Sequence, residues 1–218
     1  MRGQHPTLEH EGRFWTQGYQ AVAGLDEAGR GAWAGPVYAG AVIFDPGATD
    51  WASLAGVGDS KQLSPMQREA ALEIIQTQAL AWAAGWASAA EIDAVGIVPA
   101  TRLAMRRALE HLSLHPDALL IDALRLPEIP LPQYGFPFAD QLSLTVAAAS
   151  IVAKVSRDRW MCEQAEAHFA GYGFGQHKGY GTRLHQEALA KQGPCAIHRR
   201  TFAPIAAYLR ARQDQATP

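Results

Sequence analysis

The stretch Ala21-Val22-Ala23-Gly24-Leu25-Asp26-Glu27-Ala28-Gly29-Arg30-Gly31 sets two consecutive carboxylates at the end of an apolar run and follows them with a glycine-rich segment. Few folds accommodate that order. Ala21 to Leu25 reads as a strand, and adjacent strand residues direct their side chains to opposite faces. One of Asp26 and Glu27 is therefore expected on a covered face. A carboxylate there needs a cation, a hydrogen-bond donor or a raised pKa. The glycines beyond it offer backbone N–H groups beside the acids. A dinucleotide-binding fingerprint does not fit. Gly29 to Gly35 is one residue longer than GxGxxG, Pro36 opens another strand where the fingerprint needs a helix, and the two acids would repel a pyrophosphate. Carboxylates, cations and a phosphodiester form a consistent set instead.

The rest of the chain supplies a mixed framework. Val37 to Phe44 alternates as a second strand, and Asp45-Pro46-Gly47 is a turn. Ser64 as cap and Pro65 at the first helical position open a helix through Gln78. Leu80 to Ala87 and Ala118 to Asp122 read as further strands. Val98 to Leu112 is helical by period, Thr145 to Phe169 is a long helix stopped at Gly171, and Thr182 to Gln192 is a helix capped by Thr182 and closed by Gly193-Pro194. Strands early, with helices between and after them, indicate an α/β or α+β domain. No repeat, linker or composition shift divides the 218 residues, and 48% hydrophobic content suffices for a core.

Charge is divided unevenly. Residues 1–140 carry 9 Lys+Arg against 16 Asp+Glu, and residues 141–218 carry 10 against 5. That split suits acids that hold cations and basic groups that face a polyanion, although a pI near 6.4 lacks the footprint of a dedicated nucleic-acid binder. Two cysteines, Cys162 and Cys195, build no disulfide framework and no CxxC pair, which points to a reducing compartment. The first fourteen residues contain no apolar signal segment, and the apolar run from Leu144 ends at Lys154, short of a bilayer span. A cytoplasmic protein without membrane contact is expected.

Two more acids join the first pair: Asp122 ends a strand and Asp140 precedes the long helix. Singly, each reads as a cap or solvated turn residue. Together, the four permit an oxygen-only site for Mg²⁺ or Mn²⁺, and two such ions roughly 3.5–4 Å apart can activate water against a phosphodiester.

Gly24 to Gly31, Gly35-Pro36-Val37, Asp59-Ser60-Lys61-Gln62-Leu63, Ala147 to Val155, Arg157-Asp158-Arg159, Tyr172-Gly173-Phe174, His177-Lys178-Gly179-Tyr180-Gly181-Thr182, Gly193-Pro194-Cys195 and Ile197-His198-Arg199-Arg200 resemble, in order, the signatures of the ribonuclease HII family. The resemblance implies a ribonuclease H-like fold: a five-stranded mixed sheet flanked by helices, with a helical C-terminal extension. It makes residues 1–218 a single domain, with a core at about 19–170, a helical part at about 171–210 and short polar tails. It also implies a two-metal endoribonuclease that uses Mg²⁺ or Mn²⁺. Such an enzyme degrades the RNA strand of RNA–DNA hybrids and incises 5′ to a ribonucleotide embedded in duplex DNA, leaving 3′-hydroxyl and 5′-phosphate ends. Asp26, Glu27, Asp122 and Asp140 would be the catalytic metal ligands. The family usually has glycine after the strand acid and before the last acid, where this chain has Ala123 and Ala139.

Gly29, Arg30 and Gly31 would read the 2′-OH through closely approaching backbone groups, with Tyr180 packed at the RNA-to-DNA junction. Ser60, Lys61, Lys154, Lys178 and Arg183 complete the expected substrate-binding set, the basic ones as phosphate contacts. A monomer is expected, and no protein partner is indicated. His177, His185 and His198 lack zinc spacing and are read as hydrogen-bonding residues, and the tryptophans, Trp82 and Trp86 included, as packing residues. Two other functions stay open at this point: another nuclease of the same fold, such as a hybrid nuclease or a resolvase, and a non-catalytic nucleic-acid-binding module.

Overall fold

The computed structural model describes residues 5–58 and 60–216. The chain falls into two compact units. One comprises the residues up to Ala28 with Tyr38–Trp86 and Thr101–Ser156, and the other comprises Gly29–Val37, Ala87–Ala100 and the chain from Arg157 onward.

The first unit is built on a sheet of β1 (Val22–Ala28), β2 (Val37–Ile43), β3 (Ala81–Ala87), β4 (Ala118–Asp122) and β5 (Gln133–Phe136), in the order β3-β2-β1-β4-β5. β2 runs antiparallel to β1, whereas β4 is parallel to β1 and β5 to β4. This is the five-stranded mixed sheet that the resemblance implies. Asp26 and Glu27 lie inside β1 rather than beyond it, because their pairing with Gly40 and Ala39 of β2 continues the ladder to Ala28.

One face of the sheet carries α1 (Glu9–Trp15), α2 (Pro65–Gln78) and α6 (Leu144–Trp160). Val42, Phe44, Leu72, Ile75, Ala148, Ile151 and Val152 form its main core, and Val22, Leu120, Phe136 and Val146 a second cluster that Phe14 and Trp15 cover. Two glycines let α6 settle close. A Cβ at Gly24 would lie 2.4 Å from the Thr145 carbonyl carbon, and one at Gly40 2.2 Å from the Ala149 oxygen. The capping box expected at Ser64 is present, with Gln67 completing it. The opposite face carries α4 (Ile97–Glu110), which meets β3 where a Cβ at Gly85 would lie 2.3 Å from the Ala108 nitrogen.

Trp82 and Trp86 correct the reading of these residues as packing groups. They are 38% and 47% exposed, because β3 is an edge strand and these positions alternate with the buried Ala81, Ala83 and Ala87. Sequence periodicity also missed α1, α3 (Ala89–Val95) and β5. The long helix proves to be α6 followed by a π-helical turn at Met161–Ala165 and α7 (Glu166–His168).

The second unit is largely helical. It includes α3, α7, α8 (Phe174–His177), α9 (Arg183–Gln192) and α10 (Ala203–Ala216) around the loop that follows β1. Ala34, Met161, Ala165, Tyr172, Phe174 and Ala188 are its core. Thr182 caps α9 by accepting the His185 N–H at 3.3 Å, as its sequence predicts. Asp93 of α3 accepts the Arg200 and Thr201 N–H groups at 2.8 and 2.9 Å. Among the described residues, no helix is long and apolar enough to cross a membrane.

Candidate active site

The acidic site follows from strand register. Leu25 of β1 pairs with Ile121 of the parallel β4, so Asp26 and Asp122 come next to each other at the carboxyl ends of two neighbouring strands. Ligand sites of open α/β sheets form at such ends. Asp26, Glu27 and Asp122 each place a carboxylate oxygen within 4.8 Å of the others. Alternation sends the Cβ atoms of Asp26 and Glu27 to opposite faces, but the carboxylates still reach a common point.

Asp140, in α5 (Ala139–Leu142), is 2% exposed and stands outside that trio. It acts on Asp26 electrostatically, and its Oδ2 lies 3.5 Å from the Lys61 Nζ. Burial first, then repulsion by Glu27, Asp122 and Asp140, holds the Asp26 carboxyl well above the usual carboxylate range. The Glu27 N–H, donated to Asp26 Oδ1 at 2.6 Å, opposes that shift. Asp122 Oδ1 accepts the Ala139 N–H at 2.8 Å, which ties β4 to the start of α5. The residue after Asp122 explains the glycine usual there: Ala123 has φ of 50°, in the left-handed region. Oxygen-only donors around excess negative charge suit a hard divalent cation.

A second constellation is built within the other unit. Gly29 has φ of 92°, and a Cβ there would lie 1.9 Å from the Arg157 Nε. Only glycine fits. Arg157 donates from Nε to the Pro36 carbonyl at 2.9 Å and from Nη2 to the Ala34 carbonyl at 3.2 Å. Arg199 donates to the carbonyls of Gly35, Arg30 and Gly29 at 3.0, 2.8 and 2.7 Å. Both arginines are fully buried. Burial, then the neighbouring Arg157 charge, lowers the Arg199 pKa to about 9.

The Gly179 carbonyl accepts the Trp33 and Ala34 N–H groups at 2.8 and 3.3 Å, so the loop carrying Tyr180 is bound to the loop carrying Gly29. Tyr180 is 36% exposed, and the Arg157 guanidinium lies 5.4 Å from its ring centroid. Gly31 is exposed, with open space where a Cβ would stand. Arg157 and Arg199 escape sequence reasoning because both sit in runs of charged residues, where a solvated side chain is the ordinary reading. The one signal was their place inside family motifs.

The remaining sequence-predicted residues are distributed as follows. Ser60 is buried and accepts the Ser150 hydroxyl at 2.6 Å. The Lys61 side chain is 78% exposed, and Lys154 is half-buried. Lys178 has φ of 53° and donates to the Gly175 carbonyl. Arg183 is exposed and pairs with Glu187 at 2.8 Å. Asp59 lies outside the described residues.

A family model for ribonuclease HII matches residues 23–205, a span that includes both constellations. The chain belongs to the ribonuclease HII family. It is 52% identical over 201 residues to a ribonuclease HII of Dehalococcoides mccartyi, covering 92% of this chain and 94% of that protein. It is 53% identical over 196 residues to one of Thermus thermophilus, covering 90% and 92%. The crystal structure of ribonuclease H2 from Pyrococcus horikoshii OT3 superposes with a TM-score of 0.72 at 26% identity, covering 88% of this chain and 98% of that one. The chain is thus a ribonuclease H, a hydrolase and an endonuclease, with the fold of that family.

Proposed function

We propose that this chain is a divalent-metal-dependent enzyme that cuts the RNA strand of RNA–DNA hybrids and incises duplex DNA on the 5′ side of a single embedded ribonucleotide. The reading rests on the trio of carboxylates gathered within 4.8 Å at the ends of two parallel strands. Asp26, Glu27 and Asp122 would hold the Mg²⁺ or Mn²⁺, with Asp140 as the fourth acid. The donor set fits the ion: every donor is oxygen, and burial with repulsion from Glu27, Asp122 and Asp140 raises the Asp26 pKa, a shift that a bound cation would oppose. When bound, a pair of such ions supplies an activated water and stabilises the leaving 3′ oxygen.

The chain's own residues do the rest. Asp26, fixed by the Glu27 N–H, stays in one orientation. Asp122, fixed by the Ala139 N–H, keeps its second oxygen available. In the other unit, Gly29, Arg30 and Gly31 would read the ribose 2′-OH through backbone groups. Arg199 takes up the carbonyls of Gly29 and Arg30, which holds that backbone in one conformation. Tyr180, half-exposed on its own glycine-flanked loop, would pack against the sugar beside the junction. Lys61, Lys154, Lys178 and Arg183 would meet phosphates, while Ser60 supports the segment before α2.

The decisive assay incubates the protein, with and without divalent cation, with duplexes carrying zero, one or four ribonucleotides. Cutting only with cation, and 5′ to the lone ribonucleotide, is the expected result. Cutting of the four-ribonucleotide duplex alone would favour a plain hybrid nuclease. Binding without cutting would favour a non-catalytic module.

A further inference from the structure

Three buried histidines cluster in the second unit, and two of them, His198 and His185, form a directed hydrogen-bond chain that none of the chemistry above uses. His177, His185 and His198 are 7%, 0% and 1% exposed. The rings of His177 and His185 stack at 4.3 Å with 12° between their planes. His185 Nε2 and His198 Nε2 are 3.0 Å apart, so one ring must donate and the other accept.

The backbone decides which. Cys195 donates its N–H to His198 Nδ1 at 2.9 Å, which leaves that nitrogen bare and puts the ring proton of His198 on Nε2. His198 therefore donates to His185. The proton of His185 must then sit on Nδ1, which faces the carbonyl of Tyr180 at 3.0 Å. His177 is fixed in the same way: it accepts the Gly179 N–H on Nδ1 at 3.1 Å and donates from Nε2 to the Tyr172 carbonyl at 2.8 Å. The Tyr180 N–H is itself donated to the His177 carbonyl at 2.9 Å. Each ring carries one proton, and the chain ends on the peptide group of Tyr180.

From this we infer that His185 is a positioning residue for Tyr180: its Nδ1–H, held in that tautomer by His198, fixes the peptide that presents the exposed tyrosine ring to the substrate. The inference deepens the proposed reading of Tyr180 and rests on it. Burying three imidazoles costs solvation that apolar side chains would not incur. What the imidazoles add is direction: the Tyr180 carbonyl accepts the Thr182 N–H at 2.8 Å, and the chain that starts at the Cys195 amide gives that carbonyl a second donor from the core side, at 3.0 Å, which fixes its orientation. The ring of Tyr180 stays 36% exposed while its backbone is held on both sides.

The test measures KM and kcat on a duplex with one ribonucleotide. Leucine at position 185 keeps much of the volume but offers no donor to Tyr180, whereas asparagine places an amide N–H near where Nδ1 was. His185→Leu is expected to raise KM about tenfold, the factor that one lost buried hydrogen bond commonly carries, with kcat changed less than about twofold. His185→Asn should recover most of that loss. A purely structural role gives the opposite split: a smaller folded fraction lowers kcat and leaves KM alone. The same logic applies one residue further out. His198→Gln retains a donor at the Nε2 position and should keep KM near wild type, while His198→Leu frees His185 to change tautomer and should raise KM. This second pair decides the matter even where His185→Leu does not fold. Wild-type KM in both leucine variants overturns the inference, as does a KM rise that neither His185→Asn nor His198→Gln corrects. Tyr180→Ala is measured alongside: a KM shift there with none in the histidine variants leaves the reading of Tyr180 standing and removes the relay, whereas no shift in Tyr180→Ala removes both.

Discussion

Asp26 illustrates how a residue can be placed against its own preference. Its carboxyl is buried among Glu27, Asp122 and Asp140, and its folded-state pKa is raised above the unfolded value. A raised carboxyl pKa favours folding at low pH, and that contribution is lost as pH rises through the folded-state value. Asp26→Asn should therefore melt at or above the wild-type temperature in chelator, yet lose at least about a hundredfold in cleavage. Undiminished turnover would exclude Asp26 from catalysis. Divalent cation should raise the wild-type melting temperature and do so less for this variant. His185 and His198 have the opposite sign. Burial, followed for His198 by repulsion from His185, lowers both pKa values to about 4. They are faced by His177, by Cys195 and by the Tyr172 ring, 5.3 Å from His198. Their stabilising contribution is complete above pH 6.5 and declines as pH falls toward 4, at about 1.4 kcal/mol per pKa unit. Urea midpoints measured between pH 7 and 4.5 should thus fall less steeply in a His185→Asn, His198→Gln double variant than in wild type; equal slopes would contradict the assignment. Ala123 carries strain at φ of 50°. Replacing it with glycine should add about 0.5–1 kcal/mol of stability in the same urea titration, the left-handed penalty less the extra unfolded-state entropy.

At the level of elements, α6 decides how the acids are roofed. Its first turns pass over Gly24 and Gly40, which flank and pair with the Asp26 position. A methyl group at Gly40 would meet helix backbone rather than a flexible side chain. Gly40→Ala should cost at least about 2 kcal/mol, read as a lower urea midpoint, because the strand and helix must separate to admit it. Wild-type stability would show that α6 packs more loosely than these distances imply. Elements with strong local punctuation were legible in advance: Ser64-Pro65 opens α2, Thr182 opens α9, and Gly193 ends it. β5 was not, because its four residues, Gln133–Phe136, are too few to show alternation and lie between Pro132 and Pro137. The π-helical turn at Met161–Ala165 was hidden too, since one extra residue per turn leaves no separate mark in an apolar pattern.

For the molecule as a whole, the uneven charge is the property that bears on substrate capture. Residues 141–218 carry 10 Lys+Arg against 5 Asp+Glu, and counterion release makes such contacts sensitive to salt. KM for a ribonucleotide-containing duplex should rise at least about tenfold between 50 and 200 mM salt, and a flat response would mean that few phosphates are contacted. Local order in the chain already specified an acid pair on β1, a glycine loop behind it, the helix caps and the family signatures that ran in register with them. Those features depend on neighbours a few residues apart. Which acids converge was not specified that way: Asp122 joins Asp26 and Glu27 through the β1–β4 register, whereas Asp140 stays outside the trio and meets Lys61. Nor did the pattern reveal that Arg157 and Arg199 are buried, that Trp82 and Trp86 are exposed, or that His198 hydrogen-bonds through His185 to the Tyr180 carbonyl. Periodicity reports which residues share a face within one element. Strand order and long-range packing set what that face meets, and both arise only when distant segments close on one another.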